Sequence, residues 1–502
     1  MSNKNKTKIL FCAAEASPLA KVGGLADVVG SLPKALVKIG LDVHLILPYY
    51  AVIKGKYKTK LVKKDLPISL DGQQQRFDLY QTTLPNSKVP VYLVKHKFFD
   101  YPEIYFGAKK ISLNKRLISD VERYTFFSKA VVELMKALDW QIDIVHCHDW
   151  HTALVPTFID EYAVKYSSFP NTKTLLTIHN LANQGLSHLD ILDYAGLHHD
   201  LTPAVMEDYY DQDGQILDLM KIGILSADHI NTVSPSYAKE ILTKQYGEHL
   251  EKYLLRRQKN LSGIVNGIDV DFFDPNKDKL IYQKYNYKNF GIGKKVNKQK
   301  LQKTFGLSVD QRIPLFGLVT RLFKQKGLDI LLPAIEQFLK KEKFQLVVLG
   351  SGQVEYEKAL KNLQSKYPKT VAVKIGFDAR LAQKIYAASD FFLMPSFFEP
   401  CGLGQMIAMR YGCLPVARAT GGLVDSITDS ADLSTATGFL FAEANPSACS
   451  TAILRALQLF RSREKWRHMQ LNALQEDFSW RNSAIQYHSV YQALSPSIER
   501  SV

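Results

Sequence analysis

The feature that most constrains the fold is a repeated alternation of short apolar segments and helical patterns. Residues 9–14 and 43–47 are apolar runs of strand length, with a helical pattern from about residue 25 to 39 between them. This order predicts a βαβ unit. Further apolar runs of the same kind follow at residues 143–146, 174–178 and 229–233. The alternation predicts a parallel sheet that is covered by helices on both faces.

A second series of strands follows a segment rich in Lys, Asn and Tyr that extends to about residue 303. Its apolar runs occupy residues 315–319, 344–349, 370–375, 391–394 and 415–417. At 502 residues the chain also exceeds the size at which a single core stops growing. We therefore expect an α/β protein with two doubly wound, Rossmann-like domains. The domain limits that we predict are 1–265 and 266–480, with a helix over 481–502 that packs back across the domains.

The overall composition argues against several classes of protein. With 46% hydrophobic and 23% charged residues, and no apolar run of the ~18 residues that a membrane span needs, we expect a soluble protein with no membrane partner. Five scattered cysteines favour a reducing compartment over a disulfide framework. The polar start of the chain, before the first apolar run at residue 9, has no apolar middle of a secretory signal, so we expect a cytoplasmic protein.

A net charge of +15 raises the question of nucleic-acid binding. The densest basic stretches are residues 54–64 and 294–300, and beyond Tyr57 they contain almost no Arg or stacking aromatic residue. We interpret both stretches as solvated surface and expect no nucleic-acid partner.

Two turns with glycine and basic residues follow predicted strands, as a phosphate site requires. The first is the run KVGGLAD at 21–27, whose glycine pair lets the backbone approach an anion and whose lysine supplies a mobile charge. In the second half, Arg321 and Lys326 follow the strand that ends at residue 319. The guanidinium can fork onto phosphate oxygens while the ammonium acts as a point charge. Taken alone, each turn is equally compatible with an ordinary connection between a strand and a helix.

The run PSFFEPCGLGQ at 395–405 has the outline of a sugar-nucleotide pocket. A strand end followed by a glycine-containing turn and a helix start points backbone N–H groups at an anion, and Glu399 can accept sugar hydroxyls. An ordinary strand-turn-helix is the alternative.

Two strand ends in the first half carry histidines. The run HCHDWH at 146–151 gathers imidazole and thiolate groups, but it lacks the usual zinc-ligand spacings, and alternate residues of a strand point to opposite faces. We favour an Asp149 that caps the following helix or faces the ligand crevice. His179 and Asn180 end another strand, where they are either structural or face the same crevice.

Taken together, these motifs closely resemble the bacterial glycogen synthase and plant starch synthase family. The resemblance rests on KVGGLAD at 21–27, HDW at 148–150, HN at 179–180, VNGID at 265–269, Arg321 with QKG at 325–327, and EPCGL at 399–403. The motifs agree in type and order over nearly the whole chain. The family's GT-B fold, two facing Rossmann-like domains, agrees with the two halves predicted above.

The resemblance implies retaining transfer of glucose from ADP-glucose to the non-reducing end of an α-1,4-glucan, which is glycogen, starch or a maltooligosaccharide. The sequence does not decide between front-face attack and a covalent intermediate. No Asp-Asp metal clamp is apparent, so we expect neither a metal ion nor another cofactor. Base preference, processivity, association with glucan particles and oligomeric state stay open.

The resemblance also implies roles for individual residues. It assigns catalysis to His179, Glu399, Arg321, Lys326 and Asp149. It assigns donor binding to Lys21, Gly23, Gly24, Asn180, Asn266, Phe377, Cys401, Gly402 and Leu403. Phe377 stands where the family stacks an aromatic ring on adenine. The resemblance assigns Asp27 and Phe99 to the acceptor side.

Two alternatives stay open: a catalytically silent glucan-binding protein with this scaffold, and another nucleotide-sugar glycosyltransferase. An active enzyme is favoured by the intact set Lys21, His179, Arg321, Lys326 and Glu399. Ile407 stands where related retaining transferases often carry a second Glu, which argues against those relatives. Phe99, Phe397 and Gly404 replace residues common in bacterial members, so we expect altered affinity or acceptor choice more than inactivity.

Overall fold

The computed structural model describes residues 6–107, 109–113, 116–188, 190–197, 216–429 and 433–495. Contacts divide the chain into two units. The first comprises the described residues of Met1–Val233, Ala238–Gly267 and Trp480–Val502, and the second those of Ser234–Tyr237 and Ile268–Ser479. No helix in the described ranges is both long and apolar enough to cross a membrane.

The first unit is built on a large, mostly parallel sheet. Its strands, including those of two small two-stranded antiparallel sheets, are β1 Lys8–Cys12, β2 Asp42–Pro48, β3 Lys60–Leu70, β4 Gln73–Thr83, β5 Pro90–Lys95, β6 Ile111–Leu113, β7 Arg116–Ile118, β8 Ile144–His148, β9 Lys173–Ile178, β10 Leu186–His188, β11 Ile216–Asp218, β12 His229–Thr232 and β13 Leu261–Gly263. In the described residues the main sheet has the order β13-β12-β9-β8-β1-β2-β5-β4-β3. All pairings from β13 to β5 are parallel, which confirms the predicted sheet, and β4 and β3 extend its edge antiparallel.

Helices flank this sheet. They are α1 Gly24–Lys38, α2 Asp120–Ala137, α3 Val155–Tyr166, α4 Asp190–Ala195, α5 Leu219–Ser226, α6 Pro235–Glu240 (which the division between the units crosses) and α7 Glu251–Arg256, together with the C-terminal helix Trp480–Leu494. The start of α2 shows how the sequence sets a boundary: Ser119 accepts the N–H of Glu122, and Glu122 accepts the N–H of Ser119. This reciprocal capping satisfies two N–H groups that the helix leaves unpaired. The C-terminal helix packs against α1.

The second unit has a purely parallel sheet. Its strands are β14 Leu315–Val319, β15 Gln345–Gly350, β16 Val371–Ile375, β17 Phe391–Met394, β18 Leu414–Arg418 and β19 Phe439–Phe441. Its helices are α8 Phe290–Thr304, α9 Leu328–Leu339, α10 Val354–Lys366, α11 Ala379–Ala388, α12 Gly404–Arg410, α13 Gly422–Ser426, α14 Pro446–Arg461 and α15 Arg463–Gln475, so that Trp480–Leu494 is α16. The apolar faces of α9, α10, α14 and α15 bury one core against this sheet.

Strand order identifies where each unit can bind a ligand. In the described residues the second sheet runs β16-β15-β14-β17-β18-β19, so its order reverses between β14 and β17. The parallel part of the first sheet reverses in the same way between β1 and β8. Ligands of Rossmann-like sheets bind outside the carboxyl ends of the strands at such a reversal. The predicted motifs after residues 12, 148, 319 and 394 follow these four strands.

One interpretation of the basic stretches is wrong. Residues 54–64 are largely exposed as expected, but residues 294–300 belong to α8, where Lys294 and Lys298 are 5% and 3% exposed. Their ammonium groups are buried because backbone carbonyls and one carboxylate accept their hydrogen bonds. The polar segment before the second series is therefore partly a packed helix.

Candidate active site

The site of the first unit begins in the loop between β1 and α1. Glu15 is buried there, and its carboxylate accepts the backbone N–H groups of Val22 at 2.5 Å and Gly23 at 2.9 Å. The Tyr105 hydroxyl donates to its other oxygen at 2.7 Å. Sequence analysis missed Glu15 and Tyr105. An acidic residue three positions after the end of β1 was the available signal for the first, whereas Tyr105 comes from a distant loop.

Lys21 and Asp27 lie at the exposed side of this loop. Lys21 Nζ is 2.6 Å from Asp27 Oδ1, and their side chains are 45% and 35% exposed. Exposed pairs of this kind contribute little stability, so an anion can compete for the lysine. A Cβ built on Gly24 meets no atom within 4 Å, so its backbone faces open space, whereas Glu15 already accepts the N–H of Gly23.

Asp149 follows β8 in a left-handed backbone conformation with φ 54°. Its Oδ1 accepts the backbone N–H groups of His179 at 2.7 Å and Asn180 at 3.4 Å. It makes no capping bond to the turn Trp150–Thr152 that follows, so the predicted helix cap is wrong. Burial raises the pKa of Asp149 to about 7, against the lowering effect of the two N–H donors.

The imidazoles at the end of β8 are buried, that of His179 after β9 is partly buried, and all of them are uncharged near neutral pH. His148 Nδ1 lies 3.0 Å from His179 Nε2, so one of the two nitrogens carries the shared proton. His146 is held through both nitrogens, by the Thr177 hydroxyl at 2.7 Å and the Tyr491 hydroxyl at 2.8 Å. Burial lowers the pKa of His179 to about 3 and the pKa values of His146 and His148 well below the ordinary range.

These hydrogen bonds bear on the zinc alternative for residues 146–151. Both ring nitrogens of His146 are engaged by hydroxyl groups, and His148 is engaged by another imidazole. In the part of the chain that the structure describes, no group of three or more His, Cys, Asp or Glu side chains is arranged to hold a metal ion. His146 and His148 therefore form a closely packed pair of hydrogen-bonded rings at the end of β8.

Two asparagines complete the polar groups of the first unit. The Asn180 Oδ1 accepts the N–H of Ala182 at 3.2 Å, which shapes the turn after β9. Asn266 is 7% exposed, and within the described residues its Oδ1 has no hydrogen-bond donor. Because an unpaired buried oxygen costs free energy, a ligand hydroxyl would be stabilised there.

The site of the second unit lies at the carboxyl ends of β14 and β17. Lys326 Nζ is 2.6 Å from Glu399 Oε2, and these side chains are 16% and 9% exposed. The Ser396 hydroxyl donates to the same oxygen at 2.9 Å. Arg321 is exposed, and no carboxylate of the described residues lies within 4 Å of its guanidinium. The site therefore offers one ammonium shared with a carboxylate and one guanidinium available to an anion.

A tight turn places residues 401–403 before α12. Gln405 Nε2 donates to the carbonyl oxygens of Cys401 at 3.0 Å and Gly402 at 3.1 Å. Gly421, whose φ is 46°, passes close to this turn. A Cβ there would lie 2.1 Å from the carbonyl oxygen of Glu399, so only glycine fits at this position. Leu403 directly precedes α12. Sequence reasoning missed Gln405, whose side chain sets the conformation of this turn.

The two predicted phenylalanines have opposite environments. Phe377 follows β16 and is 89% exposed, so its ring is available for stacking. Phe99 is fully buried and packs edge-on against Tyr50 and beneath the Arg123 guanidinium. This packing makes Phe99 a core residue. It does not support direct contact between Phe99 and an acceptor.

The chain is similar to proteins of known families. Residues 8–256 match the family described as starch synthase catalytic domain, and residues 298–470 match glycosyl transferases group 1. A glycogen synthase of Thermosipho melanesiensis is 40% identical over 98% of this chain and 100% of its own, and one of Thermotoga maritima is 41% identical with the same coverage.

Solved structures show the same relationship. The catalytic domain of Starch Synthase IV from Arabidopsis thaliana, bound to ADP and acarbose, has a TM-score of 0.87 and 34% identity over 98% of this chain and 100% of its own. A sucrose-phosphate synthase from Thermosynechococcus elongatus, with a TM-score of 0.57 and 18% identity over 98% and 100%, shares the fold.

Fold and site together define a glycosyltransferase with two Rossmann-like domains, the GT-B fold. The matches over the full length are more specific. The chain belongs to the glycogen synthase and starch synthase family.

Proposed function

We propose that this chain transfers glucose from ADP-glucose to the non-reducing end of an α-1,4-glucan, with retention at the anomeric carbon. The observation that carries the proposal is the cationic strand end of the second unit, where Arg321 and the Lys326–Glu399 pair follow the two strands at the order reversal. The glycogen synthase relatives, and a starch synthase structure that holds ADP and acarbose, support the same substrates.

In the proposed reaction the bond between the glucosyl C1 and the diphosphate oxygen breaks, and its electron pair leaves with ADP. A bond forms between C1 and the acceptor oxygen, and the proton of the acceptor hydroxyl is taken up by the departing diphosphate. Arg321 and Lys326 would neutralise the departing diphosphate, with N–H groups of residues 401–403 in the same unit. Lys21 and the N–H of Gly24 give the first unit anion-binding groups of its own. One aimed donor of this kind is worth ~3 kcal/mol of barrier height.

Recognition of the glucosyl group would fall to polar groups that carry little positive charge. Glu399 would accept sugar hydroxyls, while Asn180, Asn266 and neutral His179 would supply uncharged donors and acceptors. Asp149, whose pKa is raised to about 7, can bind a hydroxyl in either protonation state but stabilises positive charge at C1 only when ionised. Asp27 would line the acceptor side.

We also propose that catalysis needs no divalent ion or other cofactor. The support is chemical, since Lys21, Arg321 and Lys326 supply the positive charge that a metal would otherwise bring to a diphosphate. Activity in a chelator should equal activity in added magnesium. Complete loss of activity in the chelator would contradict this part alone.

The experiment is to incubate the purified chain with ADP-glucose or UDP-glucose and maltooligosaccharides, and to follow nucleotide release and chain length. We expect faster release from ADP-glucose and longer α-linked products. Glucan binding without release would instead indicate a silent binding protein, and release without chain extension would indicate another glycosyltransferase. Co-sedimentation with glycogen from a cytoplasmic extract would test association with glucan particles.

A further inference from the structure

A cavity of about 380 Å³ lies within the second unit, between α8 and α15. This volume falls in the range of small-molecule sites. The cavity is on the opposite edge of the sheet from Lys326, because its lining residue Asp390 precedes β17 and accepts the N–H of Leu315, the first residue of β14. It is therefore separate from the candidate active site.

The lining of this cavity is strongly cationic. One carboxylate, that of Asp390, faces six basic side chains, which are Lys294, Lys295, Lys298, Arg312, Arg463 and Arg467. Because like charges repel, a concave surface of this composition favours an anion.

Two of the basic groups are already neutralised. Lys298 Nζ is 2.5 Å from Asp390 Oδ2, and Arg312 is 3.0 Å from Asp310. Lys294 is different, because its ammonium donates to the carbonyl oxygens of residues 386, 387 and 411 at 3.4, 3.2 and 3.0 Å. Burial lowers the pKa of Lys294 to about 8, so a nearby anion would favour its charged form.

The other three basic side chains are exposed. For Lys295, Arg463 and Arg467, no carboxylate of the described residues lies within 4 Å. Aromatic rings position the two guanidinium groups instead, with Arg463 4.1 Å from the Phe460 ring centre and Arg467 5.4 Å from that of Phe290. Guanidinium groups held in this way are preorganised to bind oxygen anions.

A second observation points to a ligand. Trp466 lies on α15 between the two arginines, and its Nε1–H is buried without an acceptor among the described residues. An unpaired buried donor costs ~1–3 kcal/mol, and a shift of the ring that brings this N–H to an oxygen anion in the cavity would remove that cost. Residues 463, 466, 467 and 470 all line the cavity, at the spacing that places them on one face of the helix.

We propose that this cavity binds a phosphate monoester of a small metabolite, with the phosphate on Arg463, Arg467 and Lys295 and the organic group against Trp466. A phosphate monoester carries nearly two negative charges at neutral pH and presents three acceptor oxygens, which suits forked donors better than a carboxylate does. The proposal goes beyond the glucosyl transfer and does not rest on it.

The test is calorimetry and tryptophan fluorescence on the whole chain, with ADP added to occupy any nucleotide site. Inorganic phosphate, glycerol 3-phosphate and ribose 5-phosphate serve as probes. We expect saturable binding, tighter for an ester than for inorganic phosphate. The double variant Arg463→Gln/Arg467→Gln should weaken it about 10-fold or more, as the loss of two charge-assisted contacts predicts. Trp466→Phe should remove the fluorescence change.

The matched control is Lys358→Gln/Lys361→Gln, two exposed lysines on α10 that lower the net charge equally. Equal weakening by both doubles would overturn the proposal, because general charge attraction would then explain the binding. Absence of saturable binding to all three probes would overturn it too. Should the arginine double misfold, Lys295→Gln replaces it, and unchanged affinity in that exposed variant would contradict the proposed phosphate contacts.

Discussion

The two strand-end sites use opposite electrostatic designs. In the first unit His148 and Asp149 are buried and His179 is partly buried, the imidazoles are uncharged, and the pKa of the carboxyl is raised to about 7. In the second unit Arg321 presents an exposed guanidinium, and the partly solvated Lys326 is paired with the Glu399 carboxylate. Buried neutral groups suit sugar hydroxyls, whereas solvated cations suit a diphosphate that must bind and leave. Under the proposed function, the buried groups at the ends of β8 and β9 would therefore contact glucose hydroxyls, while Arg321 and Lys326 would stabilise the leaving group.

The largest expected effect is the loss of a cation from the second unit. Lys326→Ala should lower kcat about 100-fold or more, because the departing diphosphate loses an aimed positive charge. The matched control is Lys324→Ala, an exposed lysine on the same short turn, Lys324–Lys326, which should stay near the parent rate. Steady-state ADP release measures both. An unchanged kcat in Lys326→Ala would remove Lys326 from the leaving-group role.

The next effect concerns ionisation in the first unit. With the pKa of Asp149 near 7, kcat/KM should rise about 10-fold from pH 6 to pH 8, as the ionised fraction of one such group does. Asp149→Asn should abolish this rise of kcat/KM with pH. Asp160→Asn, which removes an exposed acid whose pKa is about 6, should preserve it. If the rise of kcat/KM with pH persists in Asp149→Asn, the titrating group is not Asp149.

The same shift has a consequence for stability with a definite sign. The pKa of Asp149 is higher in the folded chain than its ordinary value near 4, so between about pH 4 and pH 7 the folded state holds the proton more tightly. The contribution of Asp149 to the free energy of unfolding should therefore fall as pH rises through this window and stay low above it. Urea unfolding of the parent and Asp149→Asn at pH 5 and pH 8 checks the sign, and a parent contribution that rises with pH would contradict it.

The two sites also differ in how much of each can be predicted from the sequence. Strand ends follow from local apolar runs, so Lys21, His179, Arg321, Lys326 and Glu399 could be placed at the correct edges of the two sheets. Burial depends on distant partners. Nothing local indicates that carbonyl groups more than 90 residues away accept from Lys294, or that Asp149 accepts N–H groups from the next strand. The burial of Phe99 has the same origin, since residues of α2 pack around its ring.

A smaller effect tests whether the buried network of the first unit depends on α16. Tyr491→Phe removes the hydroxyl partner of His146 Nδ1 and leaves a buried ring nitrogen unpaired. We expect the free energy of unfolding to fall by about 1–2 kcal/mol. Tyr166→Phe, in which the exposed ring keeps its stacking contacts, is the control and should change it by less than about 0.5 kcal/mol. Equal losses in urea unfolding would show that the hydroxyl of Tyr491 has no special role.

The smallest expected effect separates affinity from chemistry in the second unit. Phe377 is 89% exposed, so a stacked adenine would bury only one face of its ring. Phe377→Ala should raise the KM for ADP-glucose about 3-fold to 10-fold and leave kcat unchanged, because stacking is the same before and during bond breaking. Phe272→Ala, at another exposed ring of this unit, controls for general loss of apolar surface. A fall in kcat without a change in KM would place Phe377 among the groups that act on the departing diphosphate, and the division between binding and charge stabilisation within the second unit would fail.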